Sequence, residues 1–190
     1  EILAEARAET HLAIVTEVLR SETVQQVAAV ADVLQIGARN MQNYPLLEAV
    51  GKVDKPVILK RGPSSTMEEF LLAAEYIINA GNPNVILCER GIRTFEDYVR
   101  NTLPLAIVPA LRERTHLPVV VDPSHGTGHA HMVPPMCLAA VAAGADGLLV
   151  EVHRDPEHAY TDAAQQINHH AFCAMMKRAR KVAEAIGRDM

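Results

Sequence analysis

Pro118-Val-Val-Val-Asp-Pro-Ser-His-Gly-Thr-Gly128 is a short β-branched run that closes on an acidic residue and passes at once into a tight, glycine-bearing loop exposing an imidazole. Five more apolar runs of this length recur along the chain: Leu12 to Val18, Val33 to Ala38, Pro56 to Lys60, Val85 to Arg90 and Gly147 to Val152. With Pro118 to Asp122 they read as six strands. Their hydrophobicity is nearly continuous instead of alternating, as expected of parallel strands covered on both faces. Helical stretches lie between them. Ser65-Thr66-Met67-Glu68 reads as a capping box ahead of Phe70, Leu71, Ala74, Ile77 and Ile78, and Gly81 ends that helix. Pro134-Pro135 opens a helix through Ala143 that Gly144 closes, and Asn168 caps a last helix running to Gly187.

Alternating strand and helix units specify a parallel α/β fold, either a closed barrel or an open doubly wound sheet. The strand ends discriminate. Five runs finish near Glu17, Arg39, Lys60, Arg90 and Glu151, and the sixth has Asp122 and His125 at its end. An open sheet draws its ligand site from a few strands at one crevice, whereas a barrel gathers residues from all of its strands at one face. Six contributing ends favour the barrel, and neither a GxGxxG nor a Walker loop follows the first strand. The strand starts near 12, 33, 56, 85, 118 and 147 lie 21, 23, 29, 33 and 29 residues apart, one βα unit each. A closed eightfold barrel takes about 250 residues. The reading is therefore a (β/α)8 TIM barrel of which six βα units are present, in a single domain over residues 1–190, with the first two strands expected to be missing from the front.

Composition sets the outer limits. Of the 190 residues 49% are hydrophobic and 22% charged, the make-up of an ordinary globular domain. Trp is absent and aromatic residues amount to 4%, so the core is aliphatic and base stacking is disfavoured. Eighteen Lys plus Arg against 23 Asp plus Glu leave a net charge of −5, which argues against a nucleic-acid surface. Cys88, Cys137 and Cys173 form neither a disulfide framework nor a CxxC pair, consistent with a cytoplasmic setting. No apolar run is long enough to span a bilayer, and Glu1 to Glu9 lack the pattern of a signal peptide.

Arg39, Lys60 and Arg90 stand at three consecutive strand ends, with Gly37, Ala38 and Gly91 allowing close backbone approach, and together read as a clamp for a small phosphate or carboxylate. Arg61, Arg93, Arg100 and Arg112 read as surface charges or rim contacts. His125, Glu151 and Asp162 fall at or after neighbouring strand ends and suit a borderline divalent metal such as Mn, Fe, Co or Zn. A structural alternative has His125 capping a helix and Glu151 pairing with an Arg. Among the other histidines His153 is the one expected behind the metal ligands. Cys88 reads as a buried structural thiol, Cys137 and Cys173 as helix core, and Met175-Met176 beside Phe172 as core or an interface stripe.

Five strings in register carry a family resemblance: Gln35-Ile-Gly-Ala-Arg-Asn-Met-Gln-Asn43, Ile58-Leu-Lys-Arg-Gly62, Asn84-Val-Ile-Leu-Cys-Glu-Arg-Gly91, Val121-Asp-Pro-Ser-His-Gly-Thr-Gly128 and Gly147-Leu-Leu-Val-Glu-Val-His153. From about Leu12 to Met190 the chain resembles 3-deoxy-D-arabino-heptulosonate 7-phosphate (DAHP) synthase of the type I beta group. The related 3-deoxy-D-manno-octulosonate 8-phosphate synthase lacks the Gly-Ala-Arg-Asn string. The resemblance implies that Arg39, Arg90 and the Ala38 N–H hold the phosphate of phosphoenolpyruvate and that Lys60 holds its carboxylate. It implies that Glu17 and Glu89 are acidic groups near the reacting carbons, that His125, Glu151 and Asp162 are three of four metal ligands, and that Asp162 also borders the substrate. The implied reaction condenses phosphoenolpyruvate with erythrose 4-phosphate at the head of the shikimate pathway, in a homodimer or homotetramer.

The chain departs from the family at two points. The Gly-Pro-Cys string that supplies the fourth metal ligand is absent, as is the Lys-Pro-Arg-Thr string that grips erythrose 4-phosphate. Two further readings follow: the octulosonate synthase, and an inactive barrel remnant that binds phosphoenolpyruvate alone.

Overall fold

The computed structural model describes residues 2–189. The chain divides into two compact units, Glu1–Leu87 and Cys88–Met190. The first contains α1 (Ile2–Thr10), β1 (Val15–Glu17), α2 (Val24–Ala28), β2 (Val33–Ile36), α3 (Tyr44–Gly51), β3 (Val57–Lys60), α4 (Met67–Asn79) and the start of β4 (Val85–Glu89). The second continues from the end of β4 through α5 (Ile107–Arg112), β5 (Val119–Val121), α6 (Pro123–Thr127), α7 (Val133–Ala142), β6 (Gly147–Leu148) and α8 (His169–Ala185).

The strands follow one another in chain order, β1 to β6. Within the first unit β1 pairs with β2 and β2 with β3, all parallel, and the Val57 N–H donates to Asn84 O to bring the start of β4 alongside β3. Within the second the Asp122 N–H donates to Glu89 O, and β5 pairs parallel with β6. All six predicted strands exist, each shorter than its apolar run. The run at Leu12 forms a ladder only from Val15, and the last run stops at Leu148, so Glu151 lies beyond the strand. Val152 makes a single parallel bridge to Ile167.

An aspartate at the foot of β2 and another at the foot of β6 tie neighbouring strands together. Asp32 Oδ2 accepts the Ile14 N–H at 2.8 Å and Oδ1 pairs with Arg7 at 3.0 Å. Asp146 repeats the arrangement: Oδ2 accepts the Val119 N–H at 2.8 Å, while Oδ1 pairs with Arg112 at 2.6 Å and Arg188 at 2.7 Å. The Ile14 N–H holds the Asp32 carboxyl below its usual value, with Arg7 adding to the effect. Burial alone would raise Asp146, but the Val119 N–H and the two guanidinium groups outweigh it and leave the carboxyl lowered. Pinning one end of adjacent strands fixes the height at which their other ends present side chains.

The helices follow their apolar spacing. In α4, Phe70, Ala73, Ala74 and Ile77 are buried, an i, i+3, i+4, i+7 stripe. Its capping box lies one residue later than predicted, with Thr66 accepting the Glu69 N–H and Glu69 returning to the Thr66 N–H. Both Ser65-x-x-Glu68 and Thr66-x-x-Glu69 satisfy the motif, and only the backbone selects between them. In the second unit Val133, Cys137 and Val141 of α7 share an apolar cluster with Met175, Ala179 and Ala183 of α8, against which Phe172 and Met176 pack. Asn168 caps α8 by accepting the Ala171 N–H. Cys173 is exposed instead of core. It precedes Met175 by two residues, about 200° around a helix of 3.6 residues per turn, and so faces away from the packed stripe.

Candidate active site

The loop that follows β5 builds one wall of the site through a dense set of hydrogen bonds. Asp122, fully buried, caps α6 by accepting the His125 N–H on Oδ1 at 2.9 Å, and Pro123 occupies the first turn, where its missing N–H costs nothing. Asp122 Oδ2 also lies 2.8 Å from His125 Nδ1, close but out of line for a hydrogen bond. The ring is thereby placed with Nε2 facing outward. Gly128 ends α6 at φ 74°, where a Cβ would come within 2.5 Å of the Arg100 side chain. Asn101 completes the contact by donating to the His125 carbonyl at 2.8 Å.

Two carboxylates converge on that imidazole. His125 Nε2 is 3.4 Å from Glu151 Oε1 and 3.8 Å from Asp162 Oδ2, and one donor atom from each residue lies within 4.8 Å of the others. A first-row divalent cation with ligands at about 2.0–2.2 Å sets neighbouring donors roughly 3–3.5 Å apart, so a small inward movement completes such a set. One imidazole and two carboxylates suit a borderline to hard cation. These are the three residues that the spacing argument names, and the structure brings them together. Against the structural alternative, Asp122 and not His125 provides the cap, and the side-chain partners of Glu151, besides His125, are glutamines and not an arginine.

The surroundings of the carboxylates were not visible in the sequence. The Glu151 N–H donates to Ser124 Oγ at 3.0 Å, and Glu151 Oε2 accepts from Gln165 Nε2 at 2.9 Å and Gln166 Nε2 at 3.1 Å. Asp162 holds a left-handed backbone at φ 51°, which Asp tolerates better than most residues. Its Oδ1 is 3.0 Å from Arg100 Nη1, which also donates to Gln165 Oε1 at 2.8 Å. Arg100, expected at the surface or rim, thus lies against a candidate ligand. His153 does not stand behind the ligands; its Nδ1 contacts Asp155 O at 2.6 Å and the Asp155 N–H at 3.0 Å.

Also in the second unit, Glu89 is fully buried and its Oε1 accepts the Gly91 N–H at 2.6 Å. Arg90 is buried, and burial draws its guanidinium below the usual value. The neighbouring Arg100 adds to this, while Asp122, Cys88 and Glu89 oppose it. The Arg90 Nε–H finds no acceptor among the described residues. Cys88 and Cys137 are buried, as expected, and burial pushes the Cys137 thiol up to about 12, with the Asp122 charge adding to it.

In the first unit Glu17 closes β1, and its carboxylate fills the space that a side chain at Gly37 would need. Ala38-Arg39-Asn40 forms a 3-10 turn directly after β2, with Arg39 exposed. Lys60 ends β3 and is buried. Arg61 is buried too, with Nε donating to Ser65 O at 3.0 Å, so it is not the surface charge expected of it. A depression of about 790 Å³ in this unit is lined by Ile2, Leu3, Glu17, Leu19 and Val27 among others, and by none of the three candidate ligands.

The DAHP synthetase I family model matches residues 1–187. The chain belongs to that family. It is 49% identical over 187 residues to the phospho-2-dehydro-3-deoxyheptonate aldolase of Thermotoga maritima, covering 98% of this chain and 55% of that protein. It is 32% identical over 190 residues to a 2-dehydro-3-deoxyphosphooctonate aldolase of a Bradyrhizobium strain, covering 93% and 65%. The crystal structure of the Thermotoga enzyme superposes with a TM-score of 0.96. A truncated form of that enzyme gives 0.96 at 48% identity, over 98% of this chain and 71% of that one. The chain thus spans about half of its heptulosonate-type relative and under two thirds of its octulosonate-type one. This likeness to members of the DAHP synthetase I family bears out the expected α/β barrel class with six βα units.

Proposed function

We propose that this chain is the phosphoenolpyruvate- and metal-binding part of a DAHP synthase, a single catalytic barrel domain over residues 1–190. The observation that carries the reading is the convergence of His125, Glu151 and Asp162 on one point, in a chain 49% identical to a heptonate aldolase. The reaction joins C3 of phosphoenolpyruvate to the aldehyde carbon of erythrose 4-phosphate, adds the oxygen of water at C2, and releases inorganic phosphate. A divalent Mn, Fe, Co or Zn ion, when bound, would supply Lewis acidity for this condensation. His125, Glu151 and Asp162 would hold that ion.

Arg39, the Ala38 N–H and Arg90 take the phosphate of phosphoenolpyruvate, and Lys60 takes its carboxylate. Arg90 supports this role because its buried Nε–H lacks an acceptor among the described residues, and a phosphate oxygen supplies one. Lys60 is buried at a strand end, where its charge acts with little screening by water. Charge develops on phosphate and carboxylate oxygens as the bonds change, and donors already in place stabilise it without reorganisation. Glu17 and Glu89 act near the reacting carbons, Glu89 held by the Gly91 N–H. The site is cytoplasmic, and the subunits form a homodimer or homotetramer. No described helix is long and apolar enough to cross a membrane.

Calorimetry with phosphoenolpyruvate in the presence of Mn2+ tests the reading. Binding is expected to be lost in Arg90→Ala and Lys60→Ala. In the full-length protein phosphate release is expected with erythrose 4-phosphate and not with arabinose 5-phosphate; the reverse preference selects the octulosonate reaction, and binding without release selects the inactive remnant. A wild-type chain that ignores phosphoenolpyruvate overturns the proposal.

A further inference from the structure

The two candidate carboxylate ligands share a pattern that the ligand set alone does not explain. Each has one oxygen held from behind and the other turned toward His125. Glu151 Oε2 receives two amide N–H groups, from Gln165 and Gln166, while Oε1 faces His125 Nε2 at 3.4 Å. Asp162 Oδ1 receives Arg100 Nη1, while Oδ2 faces His125 at 3.8 Å. Gln165 links the two halves, since its Nε2 donates to Glu151 and its Oε1 accepts from the same Arg100 nitrogen that pairs with Asp162. Its amide orientation is unambiguous: a carboxylate only accepts and a guanidinium only donates, so the amide oxygen must face Arg100. With 2% of its surface exposed, Gln165 has no water to satisfy it in another rotamer.

We propose that Gln165 is a positioning residue for the metal centre, one that commits Glu151 to bind through Oε1 alone and fixes its place relative to Asp162 through Arg100. This rests on the reading of His125, Glu151 and Asp162 as metal ligands. Without the Gln165 amide, Glu151 Oε2 keeps only the Gln166 donor and loses its link to Asp162 through Arg100, so the carboxylate turns more readily about its terminal bond and the cation must supply the ordering on binding. Partners behind the ligands of metal sites are typically worth ten- to hundredfold in affinity. Gln166, 9% exposed, adds a second donor to the same oxygen and is anchored separately by Thr161 O at 3.4 Å.

The test compares Gln165→Met, which keeps length and loses both hydrogen-bonding groups, with the wild-type protein. Mn2+ titration followed by the paramagnetic resonance of the free ion is expected to show ten- to hundredfold weaker binding in the variant. The rise in melting temperature on adding Mn2+ should shrink to match. A purely structural role moves the metal-free melting temperature and leaves Mn2+ affinity unchanged. That result, or affinity within twofold of wild type, overturns the proposal. A wild-type protein that binds no Mn2+ instead overturns the metal-centre reading beneath it. If Gln165→Met does not fold, the wild-type protein labelled with 15N at glutamine decides: one equivalent of Zn2+ should shift the Gln165 side-chain amide resonance, and an unmoved resonance refutes the inference.

Discussion

Replacing Asp146 by Ala removes the acceptor of the Val119 N–H at the foot of β5. Val119 is fully buried, so its N–H is left without a partner and out of reach of water. An orphaned buried donor costs about 1–3 kcal/mol. The pairs to Arg112 and Arg188 are more exposed, with about a third of each side chain open to solvent or more, and contribute about 0–1 kcal/mol each. The expected loss is therefore about 1–5 kcal/mol at pH 7, most of it from the orphaned N–H. The pH dependence has a definite sign. Because the folded carboxyl lies below its ordinary value of 3.8, its contribution is complete above that value and disappears as pH falls through the folded value. Urea unfolding of both proteins at pH 7, 5 and 3 measures this. The gap between them should be full at pH 7 and 5 and smaller at pH 3. A gap below 0.5 kcal/mol at pH 7, or one that widens on acidification, would refute the reasoning.

Three further outcomes follow from the same geometry. His125→Ala should lower Mn2+ affinity by more than a hundredfold while changing the unfolding free energy by about 1 kcal/mol, since the cap of α6 uses the backbone N–H of residue 125, which the substitution keeps; calorimetry and urea titration check both. Gly37→Ala should cost about 1 kcal/mol or less in stability, because a flexible carboxylate can yield to the new methyl, yet weaken catalysis by displacing Glu17; phosphate release compared with unfolding separates the two effects. Under native conditions iodoacetamide should label Cys173 and spare Cys137, whose buried thiol is pushed up to about 12, and mass spectrometry of the digested protein reads the result.

The strands were legible because each lies within a compact apolar run, most fully buried in β3, β4 and β5, and the candidate ligands because His125, Glu151 and Asp162 follow the last two strands in the chain. Strand lengths were not, since the apolar run at Leu12 begins before the ladder does, and the one ending at Val152 outlasts β6. The support around the ligands left no trace for a different reason. Arg100 and Gln165 are 65 positions apart and Gln165 and Glu151 14, and a polar side chain that serves one distant partner produces no periodicity. Gln165-Gln166 sits in a loop where glutamine is ordinarily solvated, and its burial is what marks it. Arg61 is a similar case: next to Lys60 it reads as a second charge on a loop, but its Nε is used to hold the Ser65 carbonyl.

The left-handed backbone at Asp162 constrains what variation can reach this site. Most side chains in that conformation strain the chain, whereas Asn and Gly adopt it readily. Asn is also one nucleotide away from Asp, so the commonest affordable change keeps the loop and removes one negative charge from the donor set. For the proposed donor set this opens a route from two anionic ligands to one, along which the preference for a hard cation would weaken before the fold is disturbed. In the proposed centre, metal preference would then shift at a single codon, while Glu151, held by two amides, stays where it is.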